Sequence, residues 1–208
     1  MYTRDKLLWL PIDFPAFTNE QKESLFQHYK KDYTGVTAGA FESQMFTSRL
    51  TDNRYSKSIF NEEYRATHGF LFDFITDHLP FDDIVNVKIH RQYRNAEKVH
   101  LDFANPQDNI ELYNNNVYNE PCGFRMVVAG VRQGALHIEN SKKEKIYPYL
   151  PETTDWYCLN STNAKHAVET LDNGRMIIFT HGWINLDKHN LIINRSLEKY
   201  GEYAVWDS

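Results

Sequence analysis

His100 and Asp102, separated only by Leu101, are the residues with the most chemistry in reach, and His166 and Arg175 answer them further along the chain. Two imidazoles and a carboxylate form the ligand set of a mononuclear non-haem iron(II) centre, which covers one face of the ion and leaves open positions for substrate and oxygen. The spacing has a mechanical basis. In a strand, side chains at i and i+2 project to the same face, so His100 and Asp102 can meet one ion while Leu101 packs the other way. A third ligand must then come from a distant strand, and His166 lies in a second apolar-rich stretch able to supply it. A His-x-Asp triplet also recurs by chance in many soluble proteins, so the competing reading is a surface pair. Against that, an Asp buried on a strand without a partner is costly.

The elements that must position these residues fall into two textures. The first part of the chain is mixed. Leu7 to Phe14 reads as an opening strand, and Thr18-Asn19-Glu20-Gln21 as a capped helix start, continued by Leu25 and Tyr29 at helical spacing. Gly35 to Asp52 is polar and irregular. A second helix is expected from Asn61 to about His78, with Tyr64, His68, Leu71, Phe72 and Ile75 on one stripe and Pro80 ending it. After Pro80 come short β-like runs between turn signals: Val85–Tyr93, Lys98–Phe103, Gly123–Ala129, Ala135–Glu139, Lys145–Tyr149, Asp155–Asn160, Lys165–Thr170 and Arg175–Ile184. Eight strands at this spacing suggest a mainly β fold with flanking helices, a double-stranded β-helix (cupin-like jelly roll). The early helices would brace one sheet from outside, and Asn194 to Ala204 could form a last helix.

At 208 residues the chain suffices for one domain with a real core. No repeat or linker divides it, so residues 1–208 read as a single domain, with a helical support over about 1–80 and a jelly-roll core over about 81–190. Aromatic residues make up 14%, which suits pleated surfaces. A net charge of −5 argues against a nucleic-acid partner. Cys122 and Cys158 are too few for a disulfide framework and read as packed thiols in a reducing compartment. The apolar stretch Leu7–Pro11 is too short for a signal segment or a membrane span, so the expectation is a cytoplasmic protein without a membrane partner.

Four segments then carry a resemblance: Val99-His100-Leu101-Asp102, Gly123-Phe124-Arg125-Met126-Val127-Val128, Asp155-Trp156-Tyr157-Cys158-Leu159-Asn160, and His166-Ala167-Val168-Glu169 followed by Gly174-Arg175-Met176-Ile177-Ile178. Over about half its length, from Val85 to Ile184, the chain resembles the iron(II)- and 2-oxoglutarate-dependent dioxygenases. Within them it is most similar to the aspartyl/asparaginyl β-hydroxylase-like group, which includes bacterial cis-proline hydroxylases. The resemblance implies His100, Asp102 and His166 as iron ligands and catalytic centre. It implies Arg175 as the anchor of the far carboxylate of 2-oxoglutarate, a task suited to a planar guanidinium. O2 would be the oxidant. Arg125 is a further candidate: it could touch 2-oxoglutarate, grip a substrate carboxylate or sit in a structural ion pair. The family's His two residues beyond that Arg is here Val127, and the gap from His100 to Arg125 is long.

The implied reaction is hydroxylation of an unactivated C–H bond in a small amino acid, or in an Asp, Asn or Pro residue of a peptide. Two rivals remain: a cupin-type metalloenzyme without 2-oxoglutarate, which has no need of Arg175, and a non-catalytic ligand-binding jelly roll. The oligomeric state is not written in the sequence. His90, His137 and His181 read as packing or supporting residues, and Trp156 as a core aromatic. The Asn-rich stretch Phe103–Glu120 reads as a solvated loop or a lid.

Overall fold

The computed structural model describes residues 6–31, 42–47, 62–92, 99–101, 123–160, 163–169 and 175–207. Among these residues the strands are β1 (Leu7–Pro11), β2 (Glu42–Thr47), β3 (Phe81–Gln92), β4 (Gly123–Gly130), β5 (Leu136–Glu139), β6 (Lys145–Ile146), β7 (Trp156–Leu159), β8 (Lys165–Val168), β9 (Arg175–Ile184) and β10 (Val205–Trp206). The helices are α1 (Asn19–Lys31), α2 (Glu62–His78) and α3 (Leu186–Tyr200). The strands form a seven-stranded sheet in the order β10-β1-β7-β4-β9-β3-β2 and a three-stranded sheet in the order β6-β5-β8. Every pairing between them is antiparallel. The chain is therefore mainly β, as its patterning implies.

The two-residue period of a strand sorts the apolar side chains into two layers. Phe124, Met126 and Val128 of β4, and Trp156 and Cys158 of β7, join a cluster with Leu25 of α1, Leu71, Phe72 and Ile75 of α2, and Ile192 and Ile193 of α3. Val127, Tyr157 and Leu159 from the same strands join Leu136 and Ile138 of β5, Leu150 and Ala164 instead. The helices thus cover one face of the large sheet and the small sheet covers the other. Trp156 anchors the helical side. It stacks on Phe74 at 5.1 Å and takes Phe14 and Phe17 edge-on at 5.7 and 6.3 Å, geometries that suit the aromatic quadrupole.

Local signals set several boundaries. Thr18 Oγ1 accepts from the Gln21 backbone N–H at 3.2 Å, and the Gln21 side chain accepts from the Thr18 N–H at 2.9 Å, closing a capping box at the head of α1. Pro80 follows α2, and β3 begins at Phe81. Four expectations need correction. The polar stretch Gly35–Asp52 contains strand β2, paired with β3 from Glu42 opposite Arg91 to Thr47 opposite Asn86. Helix α2 is broken by a kink at His68 (φ −132°, ψ 42°). Strand β6 stops at Ile146, just ahead of Pro148, which has no N–H for a ladder. The last helix starts at Leu186 rather than Asn194, capped by the Asn185 side chain on the Lys188 N–H.

Asp102, the stretch Phe103–Glu120 and Cys122 lie outside the described residues, as do the side chains of His90 and His181. Cys158 is buried and makes no disulfide. Among the described residues no helix is long and apolar enough to cross a membrane.

Candidate active site

The candidate centre is built on β8. His166 lies opposite Ile138 of β5 on one side and opposite His100 on the other, in an antiparallel bridge. His100 and His166 exchange both backbone N–H···O bonds, each 3.0 Å long. Residues directly opposed in an antiparallel pair project to the same face, and the two imidazole centroids are 4.5 Å apart with planes inclined by 47°. Two imidazoles that bind one ion through bonds of about 2.1 Å, roughly at right angles, have centroids about 4.5 Å apart. The pair therefore fits a shared metal ion.

The ring of His166 is also oriented for that task. Its Nδ1 lies 2.9 Å from the Ala164 carbonyl oxygen and donates to it in the neutral ring, which puts the lone pair on Nε2, the nitrogen that would face a metal ion. Asn160 braces the turn that carries that carbonyl. Its side chain accepts from the Asn163 N–H at 3.2 Å and donates to the Leu7 carbonyl at 3.1 Å. Its backbone accepts from Ala164 at 2.7 Å and donates to Leu8 at 2.9 Å. The turn between β7 and β8 is thereby tied to β1. Sequence reasoning missed this role, although an Asn at a strand end followed by Ser-Thr-Asn is an Asx-turn signal.

His166 is 1% exposed and its strand neighbour Ile138 belongs to the layer between the sheets, so the pair faces that interior. Arg125 and Arg175 come from the opposite wall. Arg125 lies between Tyr157 of β7 and Phe179 of β9, buried, with its guanidinium 4.4 Å above the Phe179 ring. Arg175 opens β9 opposite Gly130, whose φ of +86° suits a residue without a side chain. Four residues of β9 separate Arg175 from Phe179, so the two arginines start from backbone positions about 13 Å apart.

Arg175 lines a cleft with Trp9 of β1, Tyr157 of β7, Arg132, Leu136 and Leu150. Leu136 pairs across the small sheet with Val168, two residues beyond His166 on the same face of β8, so the cleft begins roughly 7 Å along the strand from that imidazole. Arg132 is steadied by the buried carboxylate of Asp155, at 2.5 Å, and by the carbonyls of Pro151 and Thr154. Lys22 of α1 reaches the other oxygen of Asp155 at 3.0 Å.

His137 belongs elsewhere. It alternates with Ile138 and pairs with Ala167 on the outer face of the small sheet, where its Nδ1 is 2.8 Å from Glu169 Oε1. The Tyr147 hydroxyl donates to that same oxygen at 2.8 Å and, with Lys145, holds the Glu169 carboxyl below the usual carboxylate range. Among the described residues no three His, Cys, Asp or Glu side chains form a metal-binding group. Two of the expected iron ligands, His100 and His166, are together, and the third, Asp102, is not described.

No family model matches the chain, and no curated protein matches it in sequence. Many solved structures are similar to it, among them these three. An oxidoreductase of the 2OG-Fe(II) oxygenase family from Burkholderia pseudomallei aligns over 85% of this chain and 84% of its own, at 13% identity and a TM-score of 0.45. A Pseudomonas putida prolyl-4-hydroxylase aligns over 85% and 93%, at 10% identity and a TM-score of 0.44. A viral collagen prolyl hydroxylase from Paramecium Bursaria Chlorella virus-1, solved as a 2OG complex, aligns over 86% and 98%, at 14% identity and a TM-score of 0.43. At these scores the likeness assigns no residue a role.

Proposed function

We propose that the chain is an iron(II)- and 2-oxoglutarate-dependent dioxygenase of the aspartyl/asparaginyl β-hydroxylase-like kind, a single jelly-roll domain that hydroxylates an unactivated C–H bond of an amino acid or of an Asp, Asn or Pro residue in a peptide. One observation carries the reading: His100 and His166 are directly opposed across a strand pair, with their rings on one face and 4.5 Å apart. His100, His166 and Asp102, which follows His100 at the i+2 interval, would hold the iron. When bound, iron(II) and 2-oxoglutarate supply the oxidising chemistry: one O2 is consumed, 2-oxoglutarate leaves as succinate and CO2, and the C–H bond becomes C–OH.

The chain's own residues do the rest. The Ala164 carbonyl orients the His166 ring. Arg175 would bind the far carboxylate of 2-oxoglutarate. Arg125, from further along the same wall, would take a carboxylate of 2-oxoglutarate or of the substrate. The apolar lining around Leu136, Ile138 and Leu159 excludes water, which strengthens each of these charged contacts.

The test needs no knowledge of the substrate. Under anaerobic conditions, iron(II) and then 2-oxoglutarate are added to the metal-free protein. The expected outcome is a weak visible charge-transfer band that requires both additions, is abolished in His166→Ala, and needs more 2-oxoglutarate in Arg175→Ala. Iron binding without a band would favour the cupin-type metalloenzyme, and no iron binding would end the enzyme reading.

A further inference from the structure

Three residues that line the Arg175 cleft each carry a buried donor with no hydrogen-bond acceptor among the described residues: the indole Nε1–H of Trp9, the phenol O–H of Tyr157 and the Nε–H of Arg132. Trp9 and Tyr157 are each 2% exposed and their rings are 5.8 Å apart. Buried donors left without acceptors are costly and rare in folded proteins. Here they come from three separated parts of the chain, β1, β7 and the β4–β5 connection, and share one cleft. The adjoining guanidinium of Arg175 favours an anion, which can accept from several donors at once.

Arg132 contributes least, because its NH1 and NH2 groups are committed to Asp155 and to two backbone carbonyls. Trp9 and Tyr157 remain as the donors that find no acceptor among the described residues. We propose that Trp9 Nε1–H and the Tyr157 hydroxyl bind the far carboxylate of the dicarboxylate co-substrate beside Arg175. This assignment rests on the 2-oxoglutarate reading above and adds two positioning residues to it. An acceptor held by two neutral donors and one guanidinium distinguishes a 2-oxo dicarboxylate from a 2-oxo monocarboxylate, whose chain ends in a methyl group that leaves all three unsatisfied.

The experiment is the same anaerobic band, titrated with 2-oxoglutarate and, separately, with pyruvate, in the parent protein and in Tyr157→Phe, Trp9→Phe and Trp156→Phe. The first two changes keep the ring and delete the donor. Trp156 also has an unsatisfied indole N–H, but it lies on the helix-facing side of the sheet and serves as the control. Loss of a hydrogen bond to a charged group weakens binding by about tenfold or more. The expected result is therefore an increase of that order in the 2-oxoglutarate midpoint for Tyr157→Phe and Trp9→Phe, with the pyruvate response and the Trp156→Phe titration unchanged. A urea midpoint for each variant establishes that it is folded; should one fail to fold, the other decides. A parent-like 2-oxoglutarate midpoint in a folded variant overturns the assignment and leaves the function standing. Absence of the band in the parent protein overturns both.

Discussion

His166 has one ring nitrogen committed to the Ala164 backbone carbonyl, in a turn that the Asn160 side chain braces by accepting from the Asn163 N–H. Replacing Asn160 with Ala removes the Asx turn and leaves the Leu7 carbonyl without its side-chain donor, so the turn that carries the Ala164 oxygen is braced by its backbone bonds alone. Groups that orient a ligand histidine are worth roughly tenfold to a hundredfold in metal affinity. The expected outcome for Asn160→Ala is a loss of that size in iron(II) or cobalt(II) affinity, measured by competition with a chelator, together with about 1–3 kcal/mol of stability. Parent-like metal affinity would mean that the ring needs no such support.

Elements of the fold meet at Asp155, just before β7. Its buried carboxylate joins Lys22 of α1 to Arg132 of the β4–β5 connection, and so links the helical layer to the wall of the cleft. Both cations are about a quarter exposed while the carboxylate is not. Deleting the acid thus leaves two partly buried cations without the carboxylate they share. Asp155→Ala should cost about 3 kcal/mol, read as a lower urea midpoint with an unchanged slope. A loss below about 1 kcal/mol would place the pair among ordinary surface ion pairs. The same scale shows why some elements were legible and others were not. Thr18 and Gln21 announce α1 by local chemistry. Helix α3 buries His189 and Ser196 along with Ile192 and Ile193, so polar residues dilute its apolar stripe and hide its first two turns. Strand β2 contains Ser43, Gln44 and Thr47 and, among the described residues, pairs with β3 alone at the end of the sheet; its partner, rather than its own pattern, makes it a strand.

At the scale of the whole molecule, the helical layer carries a titrating group of its own. His68 is fully buried at the kink of α2, and its ring meets that of His28 edge-on at 4.8 Å. Burial, and then the proximity of His28, push its pKa below the ordinary histidine value, against a smaller opposing effect of the Ser24 backbone. A depressed folded value means that the unfolded chain takes up the proton first. Stability is complete above about pH 6.5 and declines as the pH falls through the lower folded value. The metal-free protein should thus lose urea resistance between pH 8 and 5.5, and His68→Phe should lose less over the same interval. Equal losses would show that His68 does not set the acid limb.

What the sequence by itself determined is local: residue types able to hold a metal and a carboxylate, the i+2 interval of His100 and Asp102, the alternation that splits β4 and β7 into two layers, and the capping box of α1. Each follows from short-range geometry with a period of two or of 3.6 residues. Only the tertiary structure decided that His100 and His166 are cross-strand neighbours, because strand pairing is a contact between distant segments that no local period encodes. It also decided that Trp9, Tyr157 and Arg132 line one cleft with Arg175. Nothing in the sequence singles these three out, and their unsatisfied donors become visible only once three separate segments have folded around the same space.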